Sequence, residues 1–479
     1  MARYSVSPLT VDSLVMHADI SASIVGNKKA EISGITQDSR NVEPGDILCC
    51  VRGGLFDGHQ FINEAISRGA VAVLVDHLDD SIDSSIVQIV VHDVRTVLGR
   101  IASAAFRHPA SSLKMIGITG TNGKTTTASI IGSLLIAHGG SVYVMGTLTG
   151  SRTTPESIDL HAQLRSCVDA GIDHVVMEVS SHALEHHRVD GIVFDVAVFT
   201  NLGHDHLDFH GTMENYFAAK RKLFTSERAR VAVVNTDDSY GRLLRTDALI
   251  PTSSYSLSDA SNIVVGVAGV SFTWRKREVC LPIGGSYAVV NALAAIAAAS
   301  ELGIPDERIV AGCATVQTVP GRFESVTNSS DIDVVVDYAH TPEGLEGLLM
   351  SAREITRGGL IVVFGCGGDR DSAKRPSMGE IASRVADIVI VTSDNPRSED
   401  PELIIAEVMS GVISHGVVSS IVNREKAIES AILGAKRGDM IVIAGKGHET
   451  TQEINGVMTA SSDVTIAATA LRVREEKTK

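Results

Sequence analysis

"GITGTNGKTTT", Gly117 to Thr127, is the stretch from which the fold can be read. It follows an apolar segment of strand length, "LKMIGIT", and runs on into residues of helical character. A glycine-rich turn between strand and helix aims backbone N–H groups into one hollow, and the helix N-terminus adds positive potential there. The turn is therefore predicted to hold phosphate. The fit is G-x-x-G-K-T from Gly120, shorter than the usual nucleotide loop because position 118 is Ile. Gly120, Thr121, Asn122 and Gly123 make the turn, Lys124 can reach the β- and γ-phosphates, and Thr125, followed by Thr126, offers a hydroxyl to Mg²⁺. A glycine turn without a ligand is the competing reading.

Outward from that loop the rhythm persists. "KMIGIT", "SVYVMG", "HVVMEV", "VAVFTN" and "VAVVNT" are continuous apolar runs with helical patterns between several of them. Strands apolar on both faces predict a parallel sheet covered by helices. "SYAVVNALAAIAAASELG" reads as a buried helix ending at Gly303, and the Pro and Gly of "VQTVPGRFES" mark a boundary near residue 319. Beyond it "DVVVDYA", "GLIVVFG", "ADIVIVT" and "DMIVIAG" repeat the pattern. In the first part "DILCCV" and "AVAVLV" read as strands, "FINEAISRGA" and "VRTVLGRIASAAFR" as helices, and "HPASS" as a linker. A chain of 479 residues is expected to form three domains at ~150 residues each, here 1–110, 111–319 and 320–479. The expected class is α/β: a central phosphate-loop parallel-sheet domain, a smaller N-terminal α/β domain and a C-terminal Rossmann-like α/β domain. Ligands are then expected at the carboxyl ends of the strands. The closing "RVREEKTK" reads as a solvated tail.

Composition narrows the function classes. A net charge of −15 disfavours nucleic acid and anionic membrane surfaces as partners. It does not exclude small anions, which a local group of cations can bind. The six cysteines form no C-x-x-C pair, so no zinc knuckle or redox motif is signalled, and free thiols are expected. The first residues lack the apolar core of a signal peptide, and no apolar run approaches the ~18 residues of a membrane span. A cytoplasmic monomer without membrane insertion is the expectation.

Chemistry-bearing residues gather at strand ends. "VVMEVSSHAL" places Glu178 where a carboxylate can complete an Mg²⁺ shell, with a surface or capping glutamate as the alternative. "FTNLGHDHLDFHG" packs His204, Asp205, His206 and Asp208 together, which points to a metal or phosphate site, and His206 is the chosen ligand. "ENYFAAKRKLF" reads as a helix with Tyr216, Phe217, Leu223 and Phe224 on its apolar side. On residue chemistry alone its Lys220 and Lys222 are solvated and have no role.

These segments, together with "TTPES", "VPGRFE", "DYAHTPEGL", "GCGGDRDSAKRP", "DNPRSEDP" and "GKGHET", resemble the Mur ligases of peptidoglycan synthesis from "DSRNVEPGD" almost to the C-terminus. The resemblance implies a uridine-nucleotide domain, an ATP domain and an amino-acid domain. It implies an ADP-forming ligase that uses ATP and Mg²⁺ to join an amino acid to UDP-N-acetylmuramoyl-L-alanyl-D-glutamate through an acyl phosphate, and so a role in cell-wall biogenesis, cell shape and division. It makes Lys124 the phosphate-loop lysine and Thr125, Glu178 and His206 metal ligands. Lys220 becomes a carbamylated lysine (N6-carboxylysine) that holds a second Mg²⁺. Lys124, Lys220, His206 and Arg322 are then the catalytic set. Asn291, Arg322, Asp337 and His340 border ATP. Ser39, Arg40, Thr153, Thr154, Ser181 and Arg188 match positions that bind the UDP-sugar.

The added amino acid turns on "DNPR", Asp394, Asn395, Pro396 and Arg397. It resembles the form associated with meso-diaminopimelate, which differs from lysine by a distal carboxylate. A planar guanidinium such as that of Arg397 can bind that group bidentately. Arg370, Gly445 and Glu449 match the rest of the pocket, and Glu449 could pair with the distal ammonium. L-Lysine as the added amino acid and a folylpolyglutamate synthetase-like ligase are the alternative readings, and a nucleotide-gated regulator is a third of another class. The chain departs from the family pattern in having Ala288 where an Asn is common, Cys49 and Cys50 where Phe-Val is common, and "SSDVTIA" without an aromatic before its Asp.

Overall fold

Lys114–Thr119, the strand before the glycine turn, is buried from its second residue on and lies in the middle of a six-stranded sheet. Its neighbours are Phe194–Phe199 and His174–Glu178, both parallel to it. Val142–Met145 closes the sheet beside His174–Glu178, and Ala229–Asn235 and Thr252–Tyr255 extend it beyond Phe194–Phe199. The chain thus leaves the phosphate-loop strand in one direction and returns on its other side. That reversal is the topological switch point at which parallel α/β sheets bind ligands. The computed structural model describes residues 2–53, 56–327, 331–413 and 416–478.

Two further six-stranded sheets flank this one. The N-terminal sheet has four parallel strands, Glu31–Thr36, Asp46–Cys49, Ala72–Val75 and Val87–Val90, with antiparallel Tyr4–Thr10 and Ser23–Val25 at its edges. The C-terminal sheet orders Glu324–Ser325, Asp333–Asp337, Met440–Ala444, Leu360–Phe364, Ile388–Val391 and Val417–Ser420, all parallel except the first. The class is α/β, as the apolar runs predict. Cys49 and Cys50 point into two different cores of the first sheet. The pair is packing, and no cysteine of the chain is bonded to another.

Three features depart from expectation. Ala260–Val265, Val270–Trp274 and Arg277–Leu281 form a separate antiparallel sheet. In Val270–Trp274 only alternate residues are buried, so no continuous apolar run announces it. "RVREEKTK" is largely solvated as expected, with Arg472, Val473, Glu476 and Lys477 exposed, but it is not a tail: Asp463–Thr478 is helical, and Arg474 donates to the carbonyls of Ile432 and Ala435. The final lysine lies outside the described residues. Lys220 is not solvated but only 1% exposed on the helix Met213–Arg221, whereas Lys222 pairs with Glu185 at 2.8 Å.

The N-terminal and central sheets share a packed seam. Helix Ser157–Asp169 buries Ile158 and Ala162 in the N-terminal core beside helix Val94–Ala105. Gly99 permits the approach, since a Cβ there would lie 2.5 Å from the carbonyl oxygen of Asp190. Nε2 of His161 lies 3.1 Å from that same oxygen, and Nδ1 is buried without a partner. A proton on Nδ1 would find no acceptor, and burial pushes the imidazole down to about 4. An unfolded chain takes up that proton near pH 6.5. Stability from His161 is therefore complete above pH 6.5 and is lost as pH falls from there to about 4, by roughly 3 kcal/mol. His161→Gln should flatten this part of the curve of urea-unfolding free energy against pH. An unchanged curve would assign the acid sensitivity to other groups.

Candidate active site

The glycine turn has the shape predicted for it. Gly123 caps the helix Lys124–Ala137 with φ +84°, and a Cβ there would lie 2.4 Å from Oδ1 of Asn291. Thr121 N donates to the Asn201 carbonyl and Asn122 N to Asn201 Oδ1 at 2.9 Å, so the segment after Phe194–Phe199 fixes the loop. Lys124 Nζ curls back onto the carbonyls of Gly120 and Thr121, each at 2.8 Å. Lys220 Nζ donates to the same Gly120 carbonyl at 2.8 Å and lies over the ring of Tyr216. Burial lowers both amines, Lys220 the further, with the charge of Lys124 adding to its depression.

Oxygen donors meet behind the loop. The hydroxyl of Thr125 donates to Glu178 Oε2 at 3.0 Å and accepts from Arg322 Nη2 at 3.1 Å. Glu178 Oε1 accepts from the backbone N–H of Thr147. Arg322 stacks on Tyr338, and its neighbour Phe323 donates its N–H to Asp337, which also receives the Tyr287 hydroxyl and the Ala339 N–H. Burial pushes the Asp337 carboxyl up. Ala288, adjacent to Tyr287, is fully buried. Thr126 is buried in the first turn of the loop helix.

A cleft of about 570 Å³ opens between the central and C-terminal sheets. The central side contributes Thr147, Arg152, Thr153, His182, Asp205 and His206. The facing side contributes residues that all follow strands: Tyr338 and His340, then Arg370 and Lys374, then Asp394, Asn395 and Arg397, then Gly445, His448 and Glu449. Contacts span the gap: His204 N donates to Glu343 Oε1 at 2.9 Å, and His340 Nε2 lies 4.0 Å from Asp205. Burial lowers His182, His206, His210 and His340, so these rings present lone pairs rather than positive charge. His206 sits 3.4 Å from Asp205 and edge-on to His182.

The Arg397 end of the cleft is tightly made. Arg397 holds a left-handed backbone, φ +51°, with its N–H on the Glu453 carbonyl and its own carbonyl on Asn455 N. Its Nη1 donates to the Gly368 carbonyl, and its Nε lies 3.7 Å from Glu453. Asn395 bridges Glu449 Oε2 and Glu453 N. Asp394 is buried, with its carboxyl pushed up. Gly445 closes against it, and Pro396 turns the chain between Asn395 and Arg397.

Not every candidate reaches the cleft. Thr154 donates to the Glu178 carbonyl, Arg188 pairs with Glu156 at 2.7 Å, and Ser181 bonds His210 at 2.9 Å, all around its central wall. Ser39 and Arg40 instead lie in the N-terminal domain, where Ser39 donates to Glu64 and Arg40 pairs with Asp38. Conversely, His182, Lys374, Tyr338 and His448 line the cleft although sequence reasoning gave them no part. Lys374 and His448 stood in quoted segments, so their position after a strand was the available signal. His59, Asp76 and His77 form a separate group of possible ligand atoms, but Arg52 Nε already holds Asp76 at 2.8 Å. That group is an ion-pair cluster.

The donor set fits Mg²⁺ at Thr125 and Glu178, whose hard oxygens lie together against the loop. Near His206 the buried Lys220 amine offers no hard oxygen as it stands.

Comparison with known proteins accords with this arrangement. Models described as Mur ligase family, catalytic domain; Mur ligase middle domain; and Mur ligase, glutamate ligase domain match residues 31–106, 118–299 and 321–447. The chain is 43% identical over 465 residues to the UDP-N-acetylmuramoyl-L-alanyl-D-glutamate–2,6-diaminopimelate ligase of Syntrophomonas wolfei, spanning 92% of this chain and 95% of that protein. It is 44% identical over 475 residues to the ligase of the same name from Synechococcus elongatus, spanning 93% and 95%. A solved structure of a ligase of that name superposes with TM-score 0.68 at 32% identity, over 98% of this chain and 100% of that one. Mycobacterium tuberculosis folylpolyglutamate synthase shares the fold at 20% identity and TM-score 0.60, over 77% of this chain and 92% of that one.

Gly123→Ala should force a Cβ into both the left-handed backbone and Asn291. Calorimetric titration with ADP should show affinity reduced about tenfold or more, from 1–2 kcal/mol of strain. Full affinity would mean that the loop does not hold the nucleotide in this form.

Proposed function

The chain belongs to the Mur ligase family, and we propose that it adds meso-2,6-diaminopimelate to the D-glutamate of UDP-N-acetylmuramoyl-L-alanyl-D-glutamate at the expense of ATP. The observation that carries this reading is the meeting, across one cleft, of the phosphate-loop side of the central sheet with Arg370, Asn395, Arg397 and Glu449. We take the three units to divide near residues 110 and 319.

A carboxylate is a poor acylating agent, so its oxygen must first become a leaving group. In the first step the free γ-carboxylate of the D-glutamate attacks the γ-phosphorus of ATP. The bond to ADP breaks and an acyl phosphate remains. The amine of diaminopimelate then attacks the acyl carbon and loses its proton. The tetrahedral intermediate collapses to amide and phosphate. Several negative groups approach in this sequence, and cancelling their repulsion is the main task of the site. Lys124 does so by leaving the Gly120 and Thr121 carbonyls for the phosphates. Arg322, held by Thr125 and Tyr338, lies on the same side. Asn291 braces the turn from below, while Asp337 and His340 border the nucleotide.

Thr125, Glu178, His206 and a carbamylated Lys220 would hold Mg²⁺, which when bound neutralises phosphate oxygens. Burial holds the Lys220 amine well below the usual lysine range, which favours its neutral form. A free amine can add CO₂ with loss of a proton, replacing an ammonium by two acidic oxygens. Ser39, Arg40, Thr153, Thr154, Ser181 and Arg188 are assigned to the UDP-sugar. Arg397 takes the distal carboxylate of the amino acid and Glu449 its ammonium. We place the chain, as a cytoplasmic monomer, in peptidoglycan precursor synthesis.

Phosphate release should require both the UDP-dipeptide and diaminopimelate. ATP hydrolysis without either would indicate a switch rather than a ligase. With diaminopimelate, lysine and ornithine offered in parallel, diaminopimelate should be preferred. Arg397→Ala should lower its kcat/KM by roughly 10–100-fold, the 1.5–3 kcal/mol of a charge-assisted bond, with the KM for ATP little changed. Equal use of all three amino acids by the unaltered protein would refute the assigned specificity. Lys124→Ala should abolish turnover. Lys220→Ala should be nearly inactive and regain activity with acetate, whose oxygens replace those of the carbamate; no recovery would count against that role.

A further inference from the structure

Arg375 lies beneath the proposed amino-acid pocket and does not itself line the cleft. It is the bulkiest of the fully buried side chains, 1% exposed, in the helix Lys374–Val385. A buried guanidinium is tolerated where its charge is paired, and of the Arg375 nitrogens only Nε is left without a partner. Here Nη1 donates to Glu399 Oε2 and to Glu407 Oε2, each at 2.9 Å. Nη2 donates to Glu399 Oε1 at 2.9 Å and to the Gly367 carbonyl at 3.2 Å. Its partners come from the loop after Leu360–Phe364, the loop after Ile388–Val391 and the helix Pro401–Ser410.

Those two loops carry the pocket, and a ladder of bonds joins them directly above Arg375. Gly368 N donates to the Asn395 carbonyl at 2.9 Å, and Ser398 Oγ to Asp369 at 2.7 Å. Asp369 N donates back to Glu399 Oε1, the oxygen that Arg375 also holds. The top rung is Arg397 itself, whose Nη1 donates to the Gly368 carbonyl. The guanidinium offered to substrate is therefore aimed by a carbonyl whose loop is gripped on both sides, at Gly367 and at Asp369, from Arg375.

We propose that Arg375 is a positioning residue for amino-acid selectivity: it clamps the 367–369 and 395–399 loops together through Gly367 and Glu399 and thereby sets the direction of the Arg397 guanidinium. This rests on the reading of the pocket given above. Lysine in its place keeps the charge but lacks the planar fork that holds both oxygens of Glu399 and the Gly367 carbonyl at once.

The test is steady-state kinetics of Arg375→Lys with diaminopimelate and with lysine, beside Arg397→Ala and the double variant. In Arg375→Lys the KM for diaminopimelate should rise about tenfold, with kcat and the KM for ATP within about threefold of the unaltered protein. The preference for diaminopimelate over lysine should fall. In the double variant kcat/KM for diaminopimelate should be no lower than in Arg397→Ala alone, because the clamp acts through a side chain already removed. Equal losses in kcat and in the KM for ATP, an unchanged preference, or additive losses would each overturn the proposal. If Arg375→Lys does not fold, Glu399→Gln, which removes only the shared carboxylate charge, replaces it in every comparison. If Arg397→Ala itself leaves the preference intact, the reading of the pocket has failed; if it loses the preference and Arg375→Lys does not, only the clamp has failed.

Discussion

A half-buried amine and a buried one meet at one oxygen, the carbonyl of Gly120, which accepts from both Lys124 and Lys220. Like charges that close repel, and the charge of Lys124 adds to burial in lowering the Lys220 amine. The protein holds them there because the glycine turn, the loop helix and the helix Met213–Arg221 all converge on the switch point of the central sheet. On the function proposed above, the arrangement would be relieved in two ways. A polyanion at the turn would supply the missing negative charge to Lys124, and conversion of Lys220 to an acidic group would remove the repulsion outright. The remainder of the cleft follows from this constraint, since Glu178, Asp205 and Arg322 all lie where they moderate or extend that local field.

What the sequence disclosed was what local chain chemistry encodes. Continuous apolar runs mark strands buried on both faces, so the parallel strands of the central and C-terminal sheets were legible. The antiparallel strands near Val270–Trp274 were not, because only alternate residues of Val270–Trp274 are buried and Ala260–Val265 buries none. The glycine turn was legible because few residue types satisfy a positive φ beside a phosphate. Lys220 was misread as solvated, since helical spacing alone does not reveal that its partner carbonyl lies a hundred positions earlier. "RVREEKTK" looked solvated because its charges are many, yet Arg474 is held by carbonyls at the end of another helix.

Cleft residues divide along the same line. Arg370, Asn395, Arg397 and Glu449 were found through segments that stay intact along the chain. Arg375 lay inside one of those segments without notice, because its importance resides in Glu399 and Glu407, which are distant in sequence and ordinary in type. A supporting network is invisible to motif reading whenever its members are drawn from separate loops. Asp463 is a second instance: the departure from the family pattern just before it gave no hint that it neutralises the fully buried Arg424, which in turn holds the carbonyl of Ala444 at the strand end before Gly445.

The two ends of the cleft are not independent. Arg322 reaches from the C-terminal side of the boundary to Thr125 in the loop helix, and His204 N, just beyond the central sheet, is held by Glu343. A nucleotide that draws Lys124 and Thr125 toward its phosphates must disturb the Arg322 contact, and with it the Tyr338 ring on which Arg322 stacks. Tyr338 in turn packs against His448, one residue before Glu449. The amino-acid pocket thus feels the phosphate loop through a short row of packed, polar side chains. The Arg397 side is braced by Arg375 and Glu399 as well, and Asn395 ties it to Glu449 at the end of that row. On the function proposed above, nucleotide occupancy would therefore reach both ends of the amino acid, through Glu449 directly and through Asn395 and Glu453 to Arg397. Such a link suits a reaction in which the acyl phosphate must form before the amine attacks, yet the amine must still be the correct one.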